Sequence, residues 1–335
     1  MKIISRLILF LFSVSFFACK SDSLVNSTPI VVDKEKYYNW SVNTFVLTNS
    51  LYHFSAGDDK TIFLIVGFRG HRYSNGVLTR LYFNDSSFTS GRVNALNGDY
   101  AVFGGGNEVL STFKIYDSGS YQTFTKDSVN YISTIFIEAK NKIYFSEANG
   151  NRYFLYLNGN VTEHTLPAPG RAFLYGRINE KVCVLGYDAT SIVSIYNLSN
   201  GNASIVYSES GVNQHYFFVN NTLLKSEQFG NQRKFYFFNG TGFTPLFTTP
   251  SKALYDAAGV SSNNLTNFCV DSTNVYNTYV WNGSENIKQK NFPLNPIYSQ
   301  SGSNNLYVSE SKNKSFFVLC NNFDTLKIVS GSYAY

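Results

Sequence analysis

The sequence predicts an all-β fold, a single β-propeller of about seven four-stranded blades. Three observations predict it. Aromatic residues reach 17%, with 30 Phe and 25 Tyr among 335 residues, and they fall in short runs with Val, Ile and Thr, the residues that favour strands. Asn-Gly and related pairs recur between such runs, and these pairs supply the positive φ angles that tight hairpins require. The pairs also recur at a near-constant interval. Taking the first turn residue as anchor gives Asn84, Asp117, Asn158, Asn200, Asn239, Asn282 and Asn321, with successive differences of 33, 41, 42, 39, 43 and 39 residues.

A second ladder of polar turns lies upstream of each anchor, at Asn141, Asn179, Asn220-Asn221, Asn263-Asn264 and Asn304-Asn305. Short strands flank each one, such as STIFIEA before and KIYFSE after Asn141. One unit therefore reads strand A, Asn turn, strand B, polar loop, strand C, Asn-Gly turn, strand D. Four antiparallel strands per forty-odd residues is the blade of a propeller. The units span 44–91, 92–127, 128–168, 169–209, 210–250, 251–293 and 294–335. The second reads as short, and six or eight units also accommodate the pattern. A two-domain β-sandwich is the structural alternative. The aromatic run of KFYFFNGTGFTPLF (234–247) then belongs to the C–D hairpin of the fifth unit. Its rings are expected to pack against neighbouring blades, because blades stack face to face.

At the N-terminus, Lys2 and Arg6 precede a twelve-residue apolar run from Leu7 to Ala18. That run is shorter than an ordinary membrane span and suits a signal peptide. It ends on Ala18-Cys19, which resembles the lipobox of bacterial lipoproteins, with Phe16-Phe17 departing from the usual pattern. The resemblance implies cleavage after residue 18, lipid on Cys19, and sorting to the outer membrane, since Lys20 rather than Asp follows. Residues 19–43 then form an anchored tether and N-terminal segment, and 44–335 the propeller. The net charge of +5 includes Lys2 and Arg6, which leaves about +3 after processing. So small a charge gives no nucleic-acid footprint. Cys183, Cys269 and Cys320 each sit in an apolar strand-like run and are expected as buried free thiols. No CxxC or Cys/His cluster points to a metal, and no motif points to a cofactor.

One unit carries a further resemblance. DYAVFGGGNEVLSTFKIYDSGSYQTF (99–124) resembles a kelch repeat, with a strand running into Gly104-Gly105-Gly106 and a later KIYD strand. The other units lack the double Gly. The whole resembles a divergent kelch or galactose-oxidase-type propeller, which implies a ligand-binding mouth on the face of the B–C and D–A loops. In that register strand B ends on an acid in five consecutive units, at Glu147, Asp188, Glu227, Asp271 and Glu310. The first unit instead presents Arg69, His71 and Arg72 in what reads as its B–C loop. Each acid could accept backbone N–H groups of its own loop. Alternatively, the acids and the basic loop surround one mouth and bind a ligand. Tyr73, Tyr187 and Phe229 are the aromatics expected to flank such a surface. No nucleophile elbow, phosphate loop or HExxH motif appears. The sequence thus favours a lipid-anchored envelope protein that binds a glycan, peptide or partner protein through a propeller face. A polysaccharide lyase or hydrolase using the loop acids, and a structural subunit of an envelope complex, are the alternatives.

Overall fold

The computed structural model describes residues 38–46, 51–67, 69–83, 91–106, 110–127, 132–147, 150–167, 171–188, 190–199, 201–212, 214–219, 221–251, 253–270, 276–289, 304–310, 315–322 and 325–333. All regular structure among them is β-strand, paired antiparallel in seven four-stranded sheets. Six sheets are consecutive in sequence, spanning 51–80, 91–127, 132–165, 171–210, 214–250 and 253–288. We number them first to sixth and label their strands A to D in chain order. The A strands of successive sheets lie side by side around one axis, so the sheets radiate as a single propeller.

The seventh sheet closes the ring. It contains Asn304–Glu310, Ser315–Asn322 and Thr325–Tyr333, and its outermost strand is Tyr38–Val46 from the other end of the chain. Nine residue pairs join that strand to the last one, from Tyr38 with Tyr333 to Val46 with Thr325. Two corrections follow. The propeller begins at Tyr38 rather than at residue 44, and the seventh unit is shifted by one strand. Asn304–Glu310, expected as strand B, is the inner strand beside the first and sixth sheets. The IYSQS segment (297–301), expected as strand A, lies outside the described residues.

Turn chemistry sets the register of the other sheets. In the third, Asn158 and Gly159 have φ of 50° and 89°, the two positive values of a two-residue hairpin whose twist matches its strands. Asn75-Gly76 does the same in the first sheet, with φ of 49° and 85°. The expected anchor Asn84-Asp85 lies outside the described residues, and the first C–D turn is therefore nine residues earlier. The fifth and sixth sheets use a different device. The side chain of Asn239 accepts the N–H groups of Thr241 and Gly242, and that of Asn282 accepts those of Ser284 and Glu285. Such side-chain turns serve longer loops. The second sheet is complete, with strands of seven and eight residues.

The aromatic runs pack between sheets. Phe235 stacks on Phe247 at 4.5 Å, and Phe247 stacks on Trp281 of the sixth sheet at 4.7 Å. On the other side, Phe238 and Phe243 both contact Tyr207 of the fourth sheet, at 5.4 and 5.8 Å. The hairpin of 234–247 is thus glued to both neighbours by rings in stacked and edge-on geometries. Cys183 and Cys269 are buried free thiols, and burial pushes the pKa of each up to about 11. The side chain of Cys320 lies outside the described residues.

Candidate functional site between the fourth and fifth sheets

Strands alternate in direction, so A–B and C–D turns share one face of the propeller while B–C and D–A connections share the other. On the latter face a cleft of about 500 Å³ opens between the fourth and fifth sheets. Phe173, Tyr187 and Val193 of the fourth sheet form one wall, and Gln214, His215 and Tyr216 form the other, with Ser191 and Gly211 beside them. Phe173 is the hub, edge-on to Tyr187 at 5.3 Å and to Tyr216 at 6.4 Å. Arg171 lies over the Tyr187 ring at 4.5 Å. Gly211 donates its N–H to the Ser191 carbonyl at 2.7 Å, and a Cβ there would meet Val193 at 2.3 Å. Glycine therefore lets the D–A connection lie against the cleft wall.

A charged network holds the fifth-sheet wall. Lys225, only 6% exposed, reaches Glu209 at 2.7 Å and Glu227 at 3.0 Å. Gln214 donates to Glu227 at 3.0 Å. The Tyr216 hydroxyl faces both Glu209, at 3.0 Å, and the Gln214 side-chain carbonyl. Tyr207 also reaches Glu209, at 3.3 Å. Burial, reinforced by Glu209, raises the Tyr216 pKa well above that of a free phenol, so the ring stays neutral and donates. Burial and the nearby Arg233 lower the His215 pKa.

Among the described side chains, Glu147, Asp188 and Glu227 do not converge on one point. Glu147, 4% exposed, takes a two-pronged pair from Arg152 at 2.9 and 2.7 Å, and Arg152 also reaches Glu163 at 3.2 Å. Those bonds, the Glu147 ones above all, raise the Arg152 pKa. Asp188 accepts from the Thr190 hydroxyl and from the N–H groups of Thr190 and Ile192, within 3.0 Å. These bonds, Thr190's first, lower its pKa. Glu227 joins the network that supports the cleft, whereas Glu147 and Asp188 do not. Asp271 lies outside the described residues. Glu310 ends the inner strand of the seventh sheet, which places it at the A–B face, opposite Glu147, Asp188 and Glu227. Among the described residues, no group of three His, Cys, Asp or Glu side chains is placed to hold a metal ion.

The basic residues also move. Arg69, His71 and Arg72, expected in a loop, lie on strand C of the first sheet, Arg69–Ser74. Arg72 turns away from the mouth to Gly98 and Asp99 of the second sheet's A–B turn, at 3.0 and 3.2 Å. His71 gives Nδ1–H to the Arg69 carbonyl at 3.0 Å, and burial with the flanking Arg80 and Arg69 charges lowers its pKa. Tyr73, expected at the surface, is buried and bonded to Asn43 at 2.7 Å. Tyr187 lines the cleft, and Phe229 is half exposed on the same face, with Lys234 at 4.7 Å from its ring. Sequence reasoning missed Phe173, Gln214, Tyr216, Glu209 and Lys225. The one visible signal was a lysine inside the apolar strand TLLKSE (222–227).

The fold places the chain among β-propeller proteins. No family model matches it, and no curated protein matches it in sequence. Its backbone is similar to that of YCF48 bound to D1 peptide, with a TM-score of 0.61 at 13% identity over 87% of this chain and 97% of that one. YCF48 from Cyanidioschyzon merolae gives 0.60 at 13% identity over 86% and 98%. The β-propeller domain of Cps50 (Swd1) from Myceliophteria thermophila gives 0.62 at 8% identity over 87% and 99%. At these identities the likeness concerns the fold.

Proposed function

We propose that this chain is a lipid-anchored envelope protein that docks a peptide segment of a partner protein on its B–C face. The cleft between the fourth and fifth sheets receives an apolar side chain of that segment. The observation that carries the reading is the apolar rim around an aromatic cleft. Val212 and Phe229 are 59% and 50% exposed on the same face, where large apolar side chains mark interaction surfaces. The walls are braced by Lys225 and its two acids, so the site is preformed, which lowers the ordering cost of binding. The described acids at this mouth are each held by a partner, which favours docking over acid–base chemistry. The structural likeness to YCF48 bound to D1 peptide supports a peptide as the ligand class. The anchor rests on Lys2, Arg6, the apolar run 7–18 and Ala18-Cys19.

Two experiments test this. Displayed random peptides selected on the full-length chain in detergent should share an apolar residue. Their affinity should fall about tenfold or more in Phe173→Ala and Tyr187→Ala, since a buried aromatic contact of about 1.4 kcal/mol or more corresponds to that factor. Peptides that bind both variants as tightly as wild type would sink the cleft assignment. In a bacterial host, Cys19→Ala should abolish incorporation of a labelled fatty acid and release the protein from the membrane fraction. Retention of label in that variant would rule out the anchor.

A further inference from the structure

The described arginines differ in what they meet: Arg92 and Arg177 donate to backbone carbonyls, Arg233 donates to Gln228 and Ser226, and Arg171 lies over the Tyr187 ring. Arg72 pairs with Asp99, and Arg152 pairs with Glu147 and Glu163. Arg69 and Arg80 pair with no carboxylate among the described residues, and both are exposed. Arg69 opens strand C of the first sheet and Arg80 closes strand D, so both stand at the B–C mouth. They also share one side of the sheet. His71 follows Arg69 by two residues and is the direct cross-strand partner of Arg80, and side chains two apart on a strand point the same way. His71 donates its Nδ1–H to the Arg69 carbonyl at 3.0 Å. Arg80 is steadied over the Tyr82 ring at 5.0 Å. The seventh sheet packs Phe45, Leu326 and Ile328 against this side, with the uncharged Asn43 bonded to Tyr73.

We infer that Arg69 and Arg80, spaced by His71, form a second docking point that receives the carboxylates of an acidic segment of a partner protein. Charge complementarity selects the occupant. Two guanidiniums present planar forks of N–H donors, the geometry that carboxylates accept bidentately. The site lies on the same face as the cleft but on the far side of the axis, with the second and third sheets between them one way around. A protein partner can span both points, whereas a small ligand in the cleft cannot.

A fluorescent hexaglutamate peptide titrated against the full-length chain in detergent tests the site. Binding should be measurable at low salt and lost at high salt, because exposed charge pairs are screened. Arg69→Gln with Arg80→Gln should weaken it about tenfold or more, and each single substitution should weaken it by less. Both side chains are exposed, and unchanged thermal melts of the three variants establish that they fold. Phe173→Ala should leave hexaglutamate binding intact, so a failure of the cleft reading and a failure of this one separate cleanly. Equal binding by the double variant overturns the inference. So does equal binding of hexaglutamine, or a preference for dextran sulfate at matched charge, which would assign the site to an anionic glycan.

Discussion

Removal of residues 1–46 is expected to destabilise the propeller far more than removal of residues 1–37. The longer deletion strips the seventh sheet of its outer strand and breaks nine register pairs. It takes Phe45 from the apolar cluster shared with the first sheet and deprives Tyr73 of its Asn43 hydrogen bond. It also removes Trp40, which packs over Gly331, where a Cβ would stand 2.5 Å from the indole. A fully buried aromatic is worth about 3–5 kcal/mol, and the partly buried Trp40 and Phe45 should each contribute a share of that. The exposed edge of Thr325–Tyr333 would then offer unpaired backbone groups to other chains. Thermal melts of the two truncations, followed by circular dichroism and light scattering, read the difference. Equal midpoints would show that closure by the N-terminal strand contributes nothing.

The second large effect concerns Lys225. Lys225→Ala leaves Glu209 and Glu227 half-buried beside each other without a counter-charge, and breaking such a pair costs about 3–5 kcal/mol. Lys225→Arg keeps the charge and should recover part of the loss. Burial alone would lower the Lys225 pKa, but hydrogen bonds and charge attraction from Glu209 and Glu227 outweigh it and hold the pKa above that of a free lysine. The sign of the linkage follows. A raised folded pKa stabilises the fold fully below the unfolded value near 10.5, and that contribution fades as pH rises through the folded value. Urea unfolding should therefore show the gap between wild type and Lys225→Ala intact at neutral pH and narrowing in strong alkali. A variant as stable as wild type at pH 7 would mean that solvent reaches the network.

The middle of the propeller was legible because its turns need residues few others replace. Asn158-Gly159 marks its hairpin through two positive φ angles, and Asn239 and Asn282 mark theirs through side-chain bonds to the turn; both devices are local. The ends were not. Tyr38–Val46 and Thr325–Tyr333 meet across most of the chain, and no local pattern announces which strand completes a ring. That shift of one strand carried Glu310 to the opposite face. The first sheet misled for another reason. Its Arg69–Ser74 strand has two arginines and a histidine because it sits near an exposed edge, so it lacks the apolar alternation of a core strand. The cleft was half visible. Tyr187 and Glu227 stood out by position, while Phe173 and Tyr216 resemble any other ring in a chain so rich in them, and only the pairing of two sheets brings them together.

The closing strand also has a mechanical meaning. It enters the seventh sheet at Tyr38, on the face of the A–B and C–D turns, and runs antiparallel to its neighbour. A pull through the preceding segment, directed along the strand, loads every rung of that ladder at once, because the bonds lie perpendicular to the strands. The ladder would have to slide as a unit rather than open rung by rung. Tension applied at Tyr38 along the strand would fall on the strongest direction of the joint, with the cleft on the opposite face of the propeller.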